Sequence, residues 1–410
     1  MSAPLHIFQL YDFIDKKLKR ALTKIQYTSA IKKIDSMIGL IYGSVTGLMC
    51  GAATQAIGPK AAEQRFRNEM PFCSIKDSVA IGDPILGQLT AHITELKNAK
   101  WDSDAFKTAV NYKSVIGNSS FLKVEPQPQL VDQIRTGKSA QLYNLSGEDF
   151  YLRVPLSTLF GDSTMEVVIG KVLQTHTSFE PPAYAILTAS IIQLVLLSDD
   201  IFTTITDWNQ VITDKLFNVL DTYREIYTSS CVEGMPIKSE ADKLRVESMK
   251  LRLEDQYKSI HGRLMGTLDM FADTRNENKT EVKENLDHLS ENEKAEAKIT
   301  SIFVGQLNNL DLSNKQIYHP MLLAIWCVKT LNRVHEIIGM DNIEPVYLSE
   351  LMLKSVAVRS GMSAYNTMIV GSILGAVFGC TQIPEIFYES MDEKLMDRIN
   401  RDILDLIAAM

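Results

Sequence analysis

The sequence predicts an all-α protein, and three observations carry that expectation. Apolar residues recur at steps of three and four through most of the 410 residues. Strand-like pieces are short and confined to the neighbourhood of 150–154, where they would gain little without partner strands. Two stretches place glycines four residues apart: Gly39, Gly43, Gly47 and Gly51 near one end of the chain, and Gly371, Gly375 and Gly379 near the other. Four residues turn an α-helix by about 400°, so each set lines one stripe. A glycine inside a helix costs about 0.5–1 kcal/mol against alanine. Close backbone packing offsets that cost, so the two glycine helices are expected to press together. The early and late parts of the chain would then share one core.

The elements follow in order. Residues 5–35 hold Leu5, Phe8, Leu10, Phe13, Ile14, Leu18, Leu22 and Ile25 at near-helical spacing with lysines between, which predicts an amphipathic extension over residues 1–35. Residues 37–58 form the first buried helix, and 60–82 read as loop-rich. Asp83 followed by Pro84 gives an N-cap with proline at the first helical position, so a helix is expected over 84–98. Another is expected over 102–114, and "EPQPQ" and "LSGED" mark turns within 115–150. Helical patterns return at 156–172, 182–197 and 201–230. A long charged amphipathic helix begins near 237, and 273–298 is the most polar stretch. Together these make a charged excursion over about 235–300. Helices at 300–311, 319–340, 347–359, 366–379 and 389–409 close the chain.

Composition narrows the function. The chain is 45% hydrophobic and 22% charged with net charge −8, an ordinary globular balance without a basic face, so nucleic acid is not the expected partner. Five cysteines are scattered without a CxxC pair or zinc spacing, which points to buried thiols in a reducing, intracellular compartment. Lys16, Lys17, Lys19 and Arg20 follow the first apolar residues rather than precede them, unlike a secretory signal. The uncharged runs 37–58, 181–198 and 368–384 approach membrane-span length. Their glycines and hydroxyl residues, and the polar composition elsewhere, favour core helices instead. GxSxG, P-loop and GxGxxG motifs are absent, and "HGRLMG" and "HEIIG" lack the second histidine of a zinc protease.

Five blocks in order resemble the ADP-ribosylglycohydrolase family, an all-α fold. They are "GLIYGSVTGLMCG" (39–51), "AIGDPILGQL" (80–89), "SGEDFYLRVPLSTLF" (146–160), "QTHTSFEPPAYAILTASIIQL" (174–194) and "SGMSAYNTMIVGSILGAVFGCTQIP" (360–384). The resemblance spans about 36–385. It implies a compact orthogonal multi-helix bundle over 36–400, carrying the N-terminal extension and the charged helical insertion. It also implies the family's activity, hydrolysis of ADP-ribose linkages with two magnesium ions.

The departures from that family are chemical. Aligned by block, the family's carboxylates fall at Leu48, near Gln55, at Gly82 and Asp83, and at Met362 and Ala364. Its threonines fall at Pro84 and Tyr365. Asp83 alone of these keeps a carboxylate, and it doubles as a helix N-cap. Magnesium requires oxygen ligands, so the expectation is that the metal pair is lost and no cofactor is bound. In the phosphate loop, Glu148 and Asp149 would repel a pyrophosphate, and Phe150 and Tyr151 would fill its space. His176 matches a family position but also suits a packing role. Arg153 suits an anion or a buried ion pair.

The expected function is therefore a non-catalytic, ADP-ribosylglycohydrolase-like component of a larger assembly. Its protein partners would be met through residues 1–35 or 235–300. Two alternatives stand beside it: a hydrolase with a rearranged site using Glu148, Asp149 or Asp162, and a pseudoenzyme that binds ADP-ribose without cutting it.

Overall fold

A computed structural model describes residues 24–55, 57–66, 70–71, 84–108, 149–173, 176, 178–198, 208–229, 237–272, 294, 297, 299–300, 307–308, 310–340, 343–383 and 393–408. Among these residues every regular element is helical. The helices are α1 (Lys24–Gln55), α2 (Pro59–Arg65), α3 (Pro84–Ala99), α4 (Ser103–Thr108), α5 (Val154–Ser157), α6 (Thr164–Leu173) and α7 (Glu180–Leu197). They continue as α8 (Trp208–Tyr227), α9 (Glu240–Ala272), α10 (His319–Ile338), α11 (Pro345–Arg359), α12 (Ser363–Phe378) and α13 (Glu393–Ala408). Proline opens α2, α7, α10 and α11 within the first two positions, where its missing N–H costs nothing. Gly339 and Gly379, at φ 80° and 82°, end α10 and α12 in the left-handed conformation that glycine adopts freely.

The core is organised on the pair α1–α12, the most extensive helix–helix interface in the structure. The two run antiparallel, with glycine meeting glycine. A methyl group on Gly39 would strike the Gly375 carbonyl, one on Gly43 the Gly371 carbonyl, and one on Gly47 the Thr367 carbonyl. Both helices are buried nearly all round. From Ser363 to Ala376 every residue of α12 is buried, and α7, α10 and α11 pack around it. The Asp35 carboxylate fastens one end of the seam by accepting the Cys380 backbone N–H at 2.9 Å.

Four regions differ from the sequence expectation, the first being the start of the stretch expected to be loop-rich over 60–82, where Pro59–Arg65 is helical because proline opens it at the first helical position. α1 is continuous from Lys24 to Gln55 and passes without a break across the boundary expected near residue 36. Nothing between Lys24 and Ile38 breaks a helix, and glycine at four-residue steps beyond it is tolerated where packing compensates. Residues 1–23 lie outside the described residues. The strand-like piece near 150–154 is instead a 3-10 turn over Asp149–Arg153 leading into α5. Phe150, Tyr151, Leu152 and Val154 are each 0% exposed, so this apolar run is buried on every side, and such a run does not distinguish strand from helix. The expected 156–172 helix is likewise divided by Gly161, at φ 55°. The polar stretch 273–293 lies outside the described residues.

α1 over 32–55 and α7 are long and apolar enough to cross a membrane, yet 83% and 72% of their apolar windows are buried against other helices. α9 differs from both. Its inner face buries Val246, Leu253, Ile260, Leu264 and Leu268, while Leu244, Leu251, Met265 and Met270 are exposed on its outer side.

One substitution should have opposite signs at two glycines. Gly43→Ala forces α1 from α12 and should cost about 1–3 kcal/mol through overpacking. Gly262, in the middle of α9, faces open space, so Gly262→Ala should stabilise by about 0.5–1 kcal/mol. Urea unfolding midpoints of the two variants test both.

Candidate functional site

The C-terminal end of α1 and the N-terminal end of α12 meet at one edge of the seam. Several positions singled out by the sequence gather there. The first N–H groups of a helix have no partner within it. Here the Ala364 N–H donates to the Gln55 side-chain oxygen at 3.1 Å. The Ser363 hydroxyl donates to the Gly51 carbonyl at 2.7 Å. Met362, at the N-cap of α12, is 2% exposed, Ala364 0% and Tyr365 6%. Leu48, about 10 Å back along α1 by helical rise, is also wholly buried and belongs to the same apolar core. These positions present hydrocarbon, a thioether, a phenol and one amide oxygen that is already engaged. Gly82, Asp83 and Glu148 lie outside the described residues. Pro84 is placed as the first residue of α3, and Asp149 as the first of the 3-10 turn.

That turn touches α12 as well as α3 and α6, so the segment that the resemblance aligns with a phosphate loop lies beside the seam. Its chemistry is aromatic: Phe150 and Tyr151 stack at 4.2 Å, and Phe150 meets the buried His176 ring edge-on at 5.2 Å. The Tyr151 hydroxyl donates to the Ile317 carbonyl at 2.7 Å. Arg153 is 5% exposed and donates to the Lys171 carbonyl at 2.7 Å. The turn therefore presents ring faces and a buried guanidinium.

Arg153 leads to a group that sequence reasoning missed. Lys171, 0% exposed, donates to Glu95 at 2.9 Å, and His92 Nδ1 lies 2.9 Å from the same carboxylate oxygen. The Lys171 ammonium also sits 4.4 Å from the centre of the Phe106 ring. Burial pushes Lys171 down from the usual 10.5 to about 8, against the pull of Glu95. Burial likewise lowers His92 and keeps it neutral. For Glu95, burial works against the carboxylate, but His92 and Lys171 outweigh it and its pKa falls. The other oxygen of Glu95 is buried without a hydrogen-bond partner. The signal was available in part: His92 and Glu95 stand three apart on one helix face, and Lys171 interrupts the apolar run "VVIGKVL". Nothing local tied the two segments together.

Among the described residues, no three His, Cys, Asp or Glu side chains converge as a metal site would require. No protein-family model matches the chain, and no curated protein matches it.

Removing one partner of a buried pair strands the other's charge. Glu95→Gln should therefore destabilise by about 3–5 kcal/mol, and adding Lys171→Met should recover most of that loss. The pH dependence has a definite sign. Below pH 8 both folded and unfolded chains hold the Lys171 proton, and the full burial cost stands. Between about 8 and 10.5 the unfolded chain keeps a proton that the folded one has released, so stability rises with pH. Cys327 and Cys380, whose thiols burial pushes far up, work the other way above the ordinary thiol value of 9. Between pH 8 and 9, wild type should gain stability relative to Lys171→Met, by at most about 1.4 kcal/mol per pH unit for one proton. Chemical denaturation of both proteins across that window measures the difference.

Proposed function

We propose that this chain is a non-catalytic protein of the ADP-ribosylglycohydrolase type that serves as an interaction component of a larger assembly. One observation carries the reading. Where the resemblance puts carboxylates, Leu48, Met362 and Ala364 are buried in the apolar core, and of the neutral amide oxygens nearby, that of Gln55 is engaged by the α12 N-terminus and that of Asn366 is buried one turn further on. Replacing water around a dication with methyl groups and a thioether leaves its desolvation uncompensated. The described residues of this site do not fit a magnesium pair. The glycine-lined antiparallel pair α1–α12 supports the family-type bundle, since it joins the first and last blocks of the resemblance. Three buried free cysteines, Cys50, Cys327 and Cys380, support a reducing compartment.

The outer face of α9 supports a protein partner within the 235–300 excursion. Leu244, Leu251 and Met265 fall at multiples of seven residues on one line of the helix, interrupted by the exposed Lys258, and are 62%, 69% and 39% exposed. Small residues, Ala241, Ser248 and Gly262, lie along the same face. Glu240 and Glu247 flank it on one side, Arg245 and Arg252 on the other. A helix of the partner laid along this face would bury the leucines and meet a charge on each flank.

Two measurements test the reading. Incubation of the purified chain with ADP-ribosylated substrates and magnesium or manganese should release no ADP-ribose. Metal-dependent release would overturn the proposal. The double substitution Leu244→Glu and Leu251→Glu should change stability by no more than about 0.5 kcal/mol, as expected of surface positions. The same variant should abolish co-purification with the partner.

A further inference from the structure

A cleft is lined by none of the positions that the resemblance marks, although its wall 310–318 accepts hydrogen bonds from the Gly361 N–H and the Tyr151 hydroxyl. It has a volume of about 350 Å³ and lies between the C-terminal half of α9, the connection 310–318 and the start of α10. Three of its side chains carry the argument. Arg263 is held from two sides: it donates to the Tyr184 hydroxyl at 2.5 Å, and its guanidinium lies 3.7 Å from the centre of the Tyr318 ring. Among the described residues it has no carboxylate partner. Four of its five N–H donors remain uncommitted in this orientation. His319 lines the same cleft, is only 3% exposed, and its Nδ1 has no hydrogen-bond partner. Asp311 stands at the rim, its carboxylate oriented by the Ser313 hydroxyl at 2.7 Å and the Asn314 amide at 2.6 Å.

A buried imidazole nitrogen without a partner is costly unless a ligand supplies one. A guanidinium fixed by stacking and one hydrogen bond is preorganised for a planar carboxylate. Charge narrows the ligand further. Burial and the nearby Arg263 push His319 down to about 4 despite the pull of Asp311, so the imidazole is neutral at pH 7. The cleft then offers one positive and one negative group. A dianion would find a single cation and a carboxylate in its way, whereas a zwitterion satisfies both.

We propose that this cleft binds a small zwitterion of the α-amino acid class, its carboxylate on Arg263, its ammonium toward Asp311, and a hydrogen-bonding group on His319 Nδ1. Leu310, Leu322 and Met270 provide the apolar wall for a side chain.

The test uses the full chain. Each proteinogenic L-amino acid is screened by thermal shift at millimolar concentration, with hits measured by calorimetry. At least one should raise the melting temperature. Arg263→Lys, which keeps the charge but loses the planar fork, should weaken that ligand by roughly tenfold or more. His319→Phe should weaken it by a similar factor, while Arg245→Ala, outside the cleft, should leave it unchanged. Because a cleft variant can fail to fold, wild type with isotope-labelled histidine provides a second readout. The ligand should shift the His319 ring signals and leave those of His92 unmoved. The proposal is overturned if no amino acid binds, or if binding survives both cleft substitutions. It is overturned equally if inorganic phosphate or ADP-ribose, rather than an amino acid, moves the His319 signals.

Discussion

The antiparallel approach of α1 to α12 is the constraint on which the remaining structure depends. Backbone meets backbone along the seam because glycines alternate across it, so that Gly39 lies against Gly375 and Gly43 against Gly371. At this spacing side chains contribute little to the interface itself. Dispersion between main chains and weak Cα–H to carbonyl contacts do the joining. The outward sides of both helices are thereby freed to bury large residues against α7, α10 and α11. The seam also determines what sits at its ends. At one, Asp35 receives the Cys380 N–H. At the other, Gln55 receives the Ala364 N–H.

That second end shows how a buried helix N-terminus is satisfied within an apolar core. A helix N-terminus aimed at a cluster of oxygens needs those oxygens, or a substitute for its free N–H groups. The Gln55 side-chain oxygen takes that part for the Ala364 N–H and the Ser360 hydroxyl for the Met362 N–H, while Leu48 and Met362 are buried in the apolar core beside them. The polar chemistry of the molecule lies elsewhere. The Lys171–Glu95–His92 group is sealed beneath Phe106, whereas the Arg263–His319 group opens onto a cleft. The two differ in compensation: the first pairs its charges internally, and the second leaves a guanidinium and an imidazole with unmet hydrogen-bonding capacity.

Much of the helical frame was legible in the sequence because it rests on period and punctuation. The glycine steps announced the seam, Pro84 marked the start of α3, and the apolar pattern placed the starts of α7 and α10 to within a few residues. That Met362 and Ala364 carry no oxygen ligand was legible as residue type, and the structure adds that both are buried and that the Gln55 side chain caps the helix. What escaped was of two kinds. The 3-10 turn at 149–153 looks strand-like in sequence, because Phe150, Tyr151 and Leu152 are buried on all sides and a uniformly buried run has no period to read. The ionic group and the cleft escaped because each assembles residues far apart in sequence. Lys171 lies 76 residues from Glu95, and Arg263 lies 79 from Tyr184. Single charged residues of this sort resemble solvated ones until the fold encloses them.

The length of chain between the two glycine helices has a kinetic consequence. Ser363 follows Gly51, its hydrogen-bond partner, by 312 residues. At roughly 5–20 residues per second of synthesis, α1 leaves the ribosome tens of seconds before α12 exists to receive it. Throughout that interval its uncharged stretch, with a hydropathy close to that of a membrane span, lacks the surface that later covers it. Nascent α1 is therefore a natural client for a holding chaperone. Joining segments this distant raises the entropic cost of closing the chain, which disfavours fast folding even where the described residues are helical.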